Sequence, residues 1–174
     1  MSHSAKLNFV EQQGLKDASI PTCQVQYAAL MFQPRLLGIF VLAGLIFQSW
    51  IIFLPLSIIL WWNVLVPALN PFDAIYNSFI AGPKELQRLT PAPGPRRFAQ
   101  GMAATFMMCI GLFLLLKWQI ITWIFESLLV VALTALIFGK FCLGSYIFHL
   151  VKGDTAFANR TLPWARNNQG DVPS

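Results

Sequence analysis

The chain has 174 residues, 56% of them hydrophobic and 11% charged, with a formal net charge of +5. Ordinary soluble domains carry about a quarter charged residues, and here the charges gather outside two long apolar blocks, a segregation that hydrocarbon imposes and water does not. The bases flank those blocks, where anionic lipid headgroups account for them, so the positive balance gives no ground for a nucleic-acid partner.

Residues 1–33 read as a mobile cytoplasmic N-terminal tail, polar through Thr22 and without the basic start and short apolar run of a secretory signal. A charge-free run from Leu36 to Phe72 follows. As one helix, Leu36 to Leu69 would span roughly 50 Å, too long for a single crossing. Gln48-Ser49-Trp50, a polar pair beside an interfacial aromatic, marks the turn. Residues 34–69 are thus expected to form a first transmembrane hairpin, with helices near Pro34–Gln48 and Ile51–Leu69. The first is short unless it extends upstream through Tyr27. Pro34 suits a first helical turn, and Pro67 should kink or end the second helix. Asn63 is expected to hydrogen-bond a neighbouring helix.

Residues 70–97 form the middle connection. Asn70 can cap, Pro71 suits the first helical position and Asp73 the first turn. Phe72, Ile75, Tyr76 and Phe79 recur on one face, and Gly82-Pro83 stops the run. This reads as an amphipathic helix on the cytoplasmic membrane surface. A stiff Thr90–Pro95 linker then leads to Arg96 and Arg97, expected at the headgroups.

A second hairpin is expected over residues 98–150, one helix from Phe98 to Leu116 and another from Ile120 to Gly144 or beyond, turning at Lys117-Trp118-Gln119. The two blocks share a Pro-Arg opening and a Trp/Gln turn, which reads as a weak duplication or as shared membrane grammar. In the last helix Ala132, Ala135, Gly139, Cys142, Tyr146 and His149 fall on one stripe. Ala132, Ala135 and Gly139 suit close helix packing. Cys142 is a weak candidate nucleophile, disfavoured by a place near a helix C-terminus, and Cys109 reads as a small buried hydrophobe. His149 is a weak candidate cofactor ligand with no second in-span histidine to join it. Glu126, an acid within the second block, is expected to pair with Lys117 or reach water rather than relay protons. No metal-ligand cluster is spaced for a site, no cofactor is expected, and no phosphate loop or catalytic triad appears. Residues 151–174 read as a cytoplasmic C-terminal tail. Eleven of the twelve Lys and Arg fall on one side of such an arrangement, which places both termini in the cytoplasm.

At Pro34-Arg35, Pro71-Phe72-Asp73-Ala74-Ile75-Tyr76, Pro91-Ala92-Pro93 through Arg97-Phe98-Ala99-Gln100 and Phe141-Cys142-Leu143-Gly144-Ser145-Tyr146-Ile147, the chain resembles a family of small bacterial integral membrane proteins of unknown function, over roughly Ile20 to Lys152. The Arg-Phe-Ala-Gln opening and the Phe-Cys-x-Gly close are its most specific parts. Family members often end in Cys-x-x-Cys, which implies thiol or sulfur chemistry. Ser145 replaces the second cysteine here, so only Cys23 could approach Cys142.

Together these features predict an all-α membrane protein of four transmembrane helices, two tandem hairpins with a cytoplasmic interfacial helix between them, in a bacterial inner membrane. The expected role is a non-catalytic accessory or scaffold subunit whose partners are other membrane subunits and lipids. A thiol-redox or sulfur-handling protein using Cys142 is the alternative, and a small transporter a second one.

Overall fold

The computed structural model describes residues 3–14, 20–83, 86, 88–162 and 165, and the side chains of all of these except 3–5 and 20–26. The described residues are helical: α1 (His3–Gln12), α2 (Ile20–Phe47), α3 (Trp50–Leu65), α4 (Pro71–Tyr76), α5 (Gly94–Leu115), α6 (Gln119–Ile137), α7 (Leu143–Val151) and α8 (Thr155–Arg160). A 3-10 turn (Pro67–Leu69) precedes α4 and a π turn (Asn77–Ala81) extends it.

Three helices are long and apolar enough to cross a membrane: Tyr27–Phe47, Gly94–Leu115 and Gln119–Ile137. The chain is therefore a helical-bundle membrane protein. Its outer surface carries the signature of lipid as solvent: Ile46, Phe47, Leu65, Ile120, Val131 and Phe138 are all well exposed, at a density no aqueous surface sustains. α3 is apolar too but has 16 residues, about 24 Å of helix.

The bundle closes around Leu37 and Val41 of α2, Phe53, Leu56 and Leu60 of α3, Ala104, Met107 and Ile110 of α5 and Leu129 of α6, with Phe72 of α4 entering from one end. α3 and α5 form the tightest pair. Ser57 Oγ donates to Ala104 O at 2.8 Å, and Gly111 lets Leu54 lie where a Cβ would come within 2.6 Å of Leu54 Cδ2. Hydrogen bonds and small residues of this kind hold helices together when lipid supplies no hydrophobic drive.

Both expected turns form at the expected residues. Gln48 and Lys117 adopt left-handed φ values of 45° and 60°. Each ends its helix in the manner usually reserved for glycine, with Ser49 N donating to Gly44 O and Trp118 N to Phe113 O. The α4 start also follows expectation: Asn70 Oδ1 accepts from Phe72 N at 3.0 Å, Pro71 opens the helix and Asp73 lies in its first turn. Pro67 follows the end of α3 at Leu65, as expected of a terminator.

Four expectations are corrected. Pro34 lies inside α2, not at its start, because the helix begins at Ile20; the ring merely leaves the Leu30 carbonyl without its helical donor. The N-terminal segment is no free tail over its described part. α1 docks through buried Phe9 and Val10 onto Tyr27, Leu30, Met31 and Cys142. The last apolar helix is not continuous: α6 stops at Ile137, Lys140 takes φ 53° and α7 starts at Leu143. Ala132 and Ala135 thus lie on α6, Gly139 in the break, and Tyr146 and His149 on α7, so the expected stripe is divided. Gly139 is required there for space, since a Cβ would meet Ala135 O at 2.6 Å. Finally, Phe72 and Tyr76, four residues apart on α4, turn inward while Ile75 and Phe79 face out, and the π turn that begins at Asn77 shifts the register only for Phe79.

Candidate functional site

Polar residues inside the bundle gather where α2, α4 and α5 meet. Arg96 and Gln100 stand four residues apart on α5 and share a face. Arg96 Nη2 lies 2.6 Å from Asp73 Oδ1 and donates to Gln33 Oε1 at 3.1 Å. Gln100 Nε2 donates to the same Gln33 oxygen at 2.9 Å. All four side chains are buried. Each arrives by a local device: the Asn70 cap fixes the turn that carries Asp73, Pro93 opens α5 just before Arg96, and Gln33 sits one residue before Pro34. Gln33 Nε2, Gln100 Oε1 and Asp73 Oδ2 have no hydrogen-bond partner among the described residues. Unanswered polar atoms at this depth are costly, and they make this cluster the strongest site-like feature of the fold.

The cluster abuts a half-open cavity of about 340 Å³, inside the roughly 300–1,000 Å³ range of small-molecule sites. Gln33, Arg96 and Gln100 are polar groups of its lining, and Gln13 of the N-terminal segment borders it as well. Leu37, Leu60, Phe106, Met107, Leu129, Leu133 and Leu136 make its apolar walls, and Leu128 and Val131 carry it toward the outer face of α6. Ala132 of the expected packing stripe lines it as well. Chemically the site is a long apolar slot ending on hydrogen-bonding groups, which suits an amphiphile.

Cys142 borders the same cavity. It is buried and takes the N-cap position of α7, the opposite of the expected C-terminal position. Its backbone N donates to Gln12 Oε1 at 3.0 Å, and Ser145 Oγ lies 3.4 Å from its Sγ and 3.3 Å from Pro95 O. The possible approach of Cys23 falls on a side chain outside those described. Cys109 is half-buried on α5. His149 Nε2 lies 3.3 Å from Gln12 O, and its ring packs against Phe157 at 4.6 Å between centroids, which makes it part of the clamp on α1. Among the described residues no three His, Cys, Asp or Glu side chains gather as a metal site would need.

Arg97, expected at the headgroups beside Arg96, instead turns back. Its Nε and Nη2 donate to Val64 O at 3.0 and 2.6 Å, satisfying a carbonyl left open by the last turn of α3. It also closes one end of a shallow outward groove of about 620 Å³ with Trp61, Phe98, Thr105 and Phe125. Tyr76, packed on Phe32 at 5.7 Å between ring centroids, is buried deeply enough to push its phenol above the usual value. Glu126 meets Gln48 rather than Lys117 among the described residues. Gln48 Nε2 donates to its Oε1 at 3.1 Å and lies 3.3 Å from its Oε2, tying α6 to the α2–α3 turn. Asn63 is buried with neither side-chain atom bonded among the described residues, where the expected interhelical bond is not made.

Sequence reasoning missed the Arg96 cluster by assigning both arginines to the lipid surface. The signal was present in Gln33 and Gln100, two amides inside otherwise apolar helices, the second at helical spacing from Arg96. Comparison with curated proteins and with solved structures returned no match. A family model described as Domain of unknown function (DUF4395) matches residues 25–152, the stretch that carries most of α2, all of α3 through α7, and every cavity-lining residue except Phe9 and Gln13, and the chain belongs to that family.

Proposed function

We propose that this chain is a bacterial inner-membrane protein that holds a membrane-dissolved amphiphile within its bundle, as a non-catalytic accessory subunit of a larger membrane assembly. One observation carries the reading: an apolar cavity between membrane helices that ends on the buried Arg96, Gln33 and Gln100 side chains. The outward apolar surface supplies faces for lipid and for partner subunits. In this reading the polypeptide crosses the bilayer four times, with α3 spanning a locally thinned region. The basic segments then place both termini and the Pro71–Ala81 stretch in the cytoplasm.

A thiol function is the second reading, favoured by the place of Cys142 at a helix N-terminus and on the cavity wall.

The full chain, extracted in native lipid particles and examined by native mass spectrometry, should carry about one amphiphile per chain and co-purify with other membrane subunits. Ala132→Trp, which fills the slot, should release the amphiphile. An empty wild-type cavity, or an unchanged load in Ala132→Trp, would sink the binding role. Cys142→Ser should keep both load and partners if the thiol takes no part, and a changed load favours the thiol reading.

A further inference from the structure

The polar end of the cavity has a fixed hydrogen-bond polarity, and that polarity selects a head group. Arg96 offers only donors, so the Gln33 atom 3.1 Å from its Nη2 is the carbonyl oxygen. Gln33 is thereby oriented, with its nitrogen left over. The same oxygen accepts Gln100 Nε2 at 2.9 Å, which orients the second amide in turn: its nitrogen is used and its oxygen is left over. Flipping either amide would set donor against donor or acceptor against acceptor. One donor, Gln33 Nε2, and one acceptor, Gln100 Oε1, therefore lack partners among the described residues, on side chains 3% and 7% exposed that both line the cavity.

Charge narrows the choice further. Arg96 and Asp73 neutralise one another, and Asp73, whose Oδ2 is also unbonded, is not among the residues bordering the cavity. No spare charge is present there to hold a carboxylate, phosphate or ammonium, and an ion taken into such a place without a counter-charge is strongly disfavoured. Ester, ether and ketone heads supply no donor for Gln100 Oε1. A hydroxyl answers both orphans, since its oxygen accepts while its hydrogen donates.

We infer that the cavity takes an aliphatic amphiphile with an uncharged hydroxyl head, such as a long-chain alcohol or an acylglycerol, whose oxygen accepts from Gln33 Nε2 and whose proton goes to Gln100 Oε1. The inference rests on the amphiphile-binding reading above and specifies its ligand class.

The test uses the full chain in phosphatidylcholine nanodiscs at pH 9, where a fatty acid is ionised. Three photoactivatable probes of equal chain length are compared: an alkanol, the matching alkanoate and the matching trimethylammonium. Cross-links are mapped by mass spectrometry. The alkanol should label the cavity residues Ala103 and Leu133 at least tenfold more than either ion. Gln100→Leu, which leaves the Arg96–Asp73–Gln33 contacts in place, should bring alkanol labelling down to the level of the others. Equal or greater cavity labelling by an ion would overturn the hydroxyl assignment while leaving amphiphile binding intact. An alkanol preference that survives Gln100→Leu would overturn it as well. Absence of cavity labelling by all three probes would overturn the binding reading and this inference together. The wild-type comparison decides the head group even if the variant fails to fold.

Discussion

Arg96 shows how a single residue changes meaning between sequence and structure. Beside Arg97 in a basic linker it reads as a headgroup anchor, yet it is 6% exposed and bonded to Asp73 and Gln33. A guanidinium withdrawn from water needs a counter-charge and hydrogen bonds, and losing one partner of such a pair costs about 3–5 kcal/mol because the other is left as an unpaired buried ion. Arg96→Ala and Asp73→Ala should each lower stability by that order. The joint replacement Arg96→Met with Asp73→Leu should lose much less than either. Unfolding of the three variants in detergent micelles checks this. Additive losses in the double variant would show that the pair is not the stabilising unit. The residues that define this cluster were visible in the sequence as polar letters in apolar helices. Their mutual contact was not, since Gln33 and Gln100 are 67 positions apart and sequence carries no distance.

At the scale of elements, turn chemistry was readable and helix continuity was not. The turns at Gln48 and Lys117 were marked by local polarity, which acts within a few residues. The break between α6 and α7 lies in a stretch whose letters remain helix-compatible, and tertiary packing decides it. α7 must swing to lie against α5, where Gly144 approaches Ala99 so closely that a Cβ would come within 2.7 Å of the Ala99 Cα. Gly144→Ala therefore pushes against the Ala99 backbone and its rotamer-less methyl, both at 2.7 Å, and should destabilise by about 1–3 kcal/mol as an overpacked contact. Gly101 on the same helix α5 makes the control. Its added Cβ would meet Val64 at an ordinary 3.7 Å, so Gly101→Ala should be neutral or gain up to about 1 kcal/mol from helix propensity. Thermal unfolding of the two variants in one detergent tests the contrast, and equal melting temperatures would refute the tight α5–α7 seam.

For the whole molecule, the element that sets the topology is α3, whose 16 residues fall below the roughly 20 that a typical bilayer core requires. The four-crossing arrangement makes a sharp prediction for single cysteines placed in a cysteine-free chain and labelled by a membrane-impermeant maleimide. Ser49→Cys and Gln119→Cys should react from the outer side, Ser78→Cys and Ala156→Cys from the cytoplasmic side. Reaction of Ser49→Cys and Ser78→Cys from the same side would make α3 a re-entrant helix and the count of crossings odd. The sequence by itself determined the solvent, the apolar helices and the two non-glycine turns, because hydropathy and turn chemistry are properties of short stretches of chain. Tertiary structure alone decided that α1 is docked, that Cys142 heads a helix, and that an apolar slot ends on oriented amides. Those outcomes depend on which distant side chains meet and on which hydrogen bonds they leave unmade.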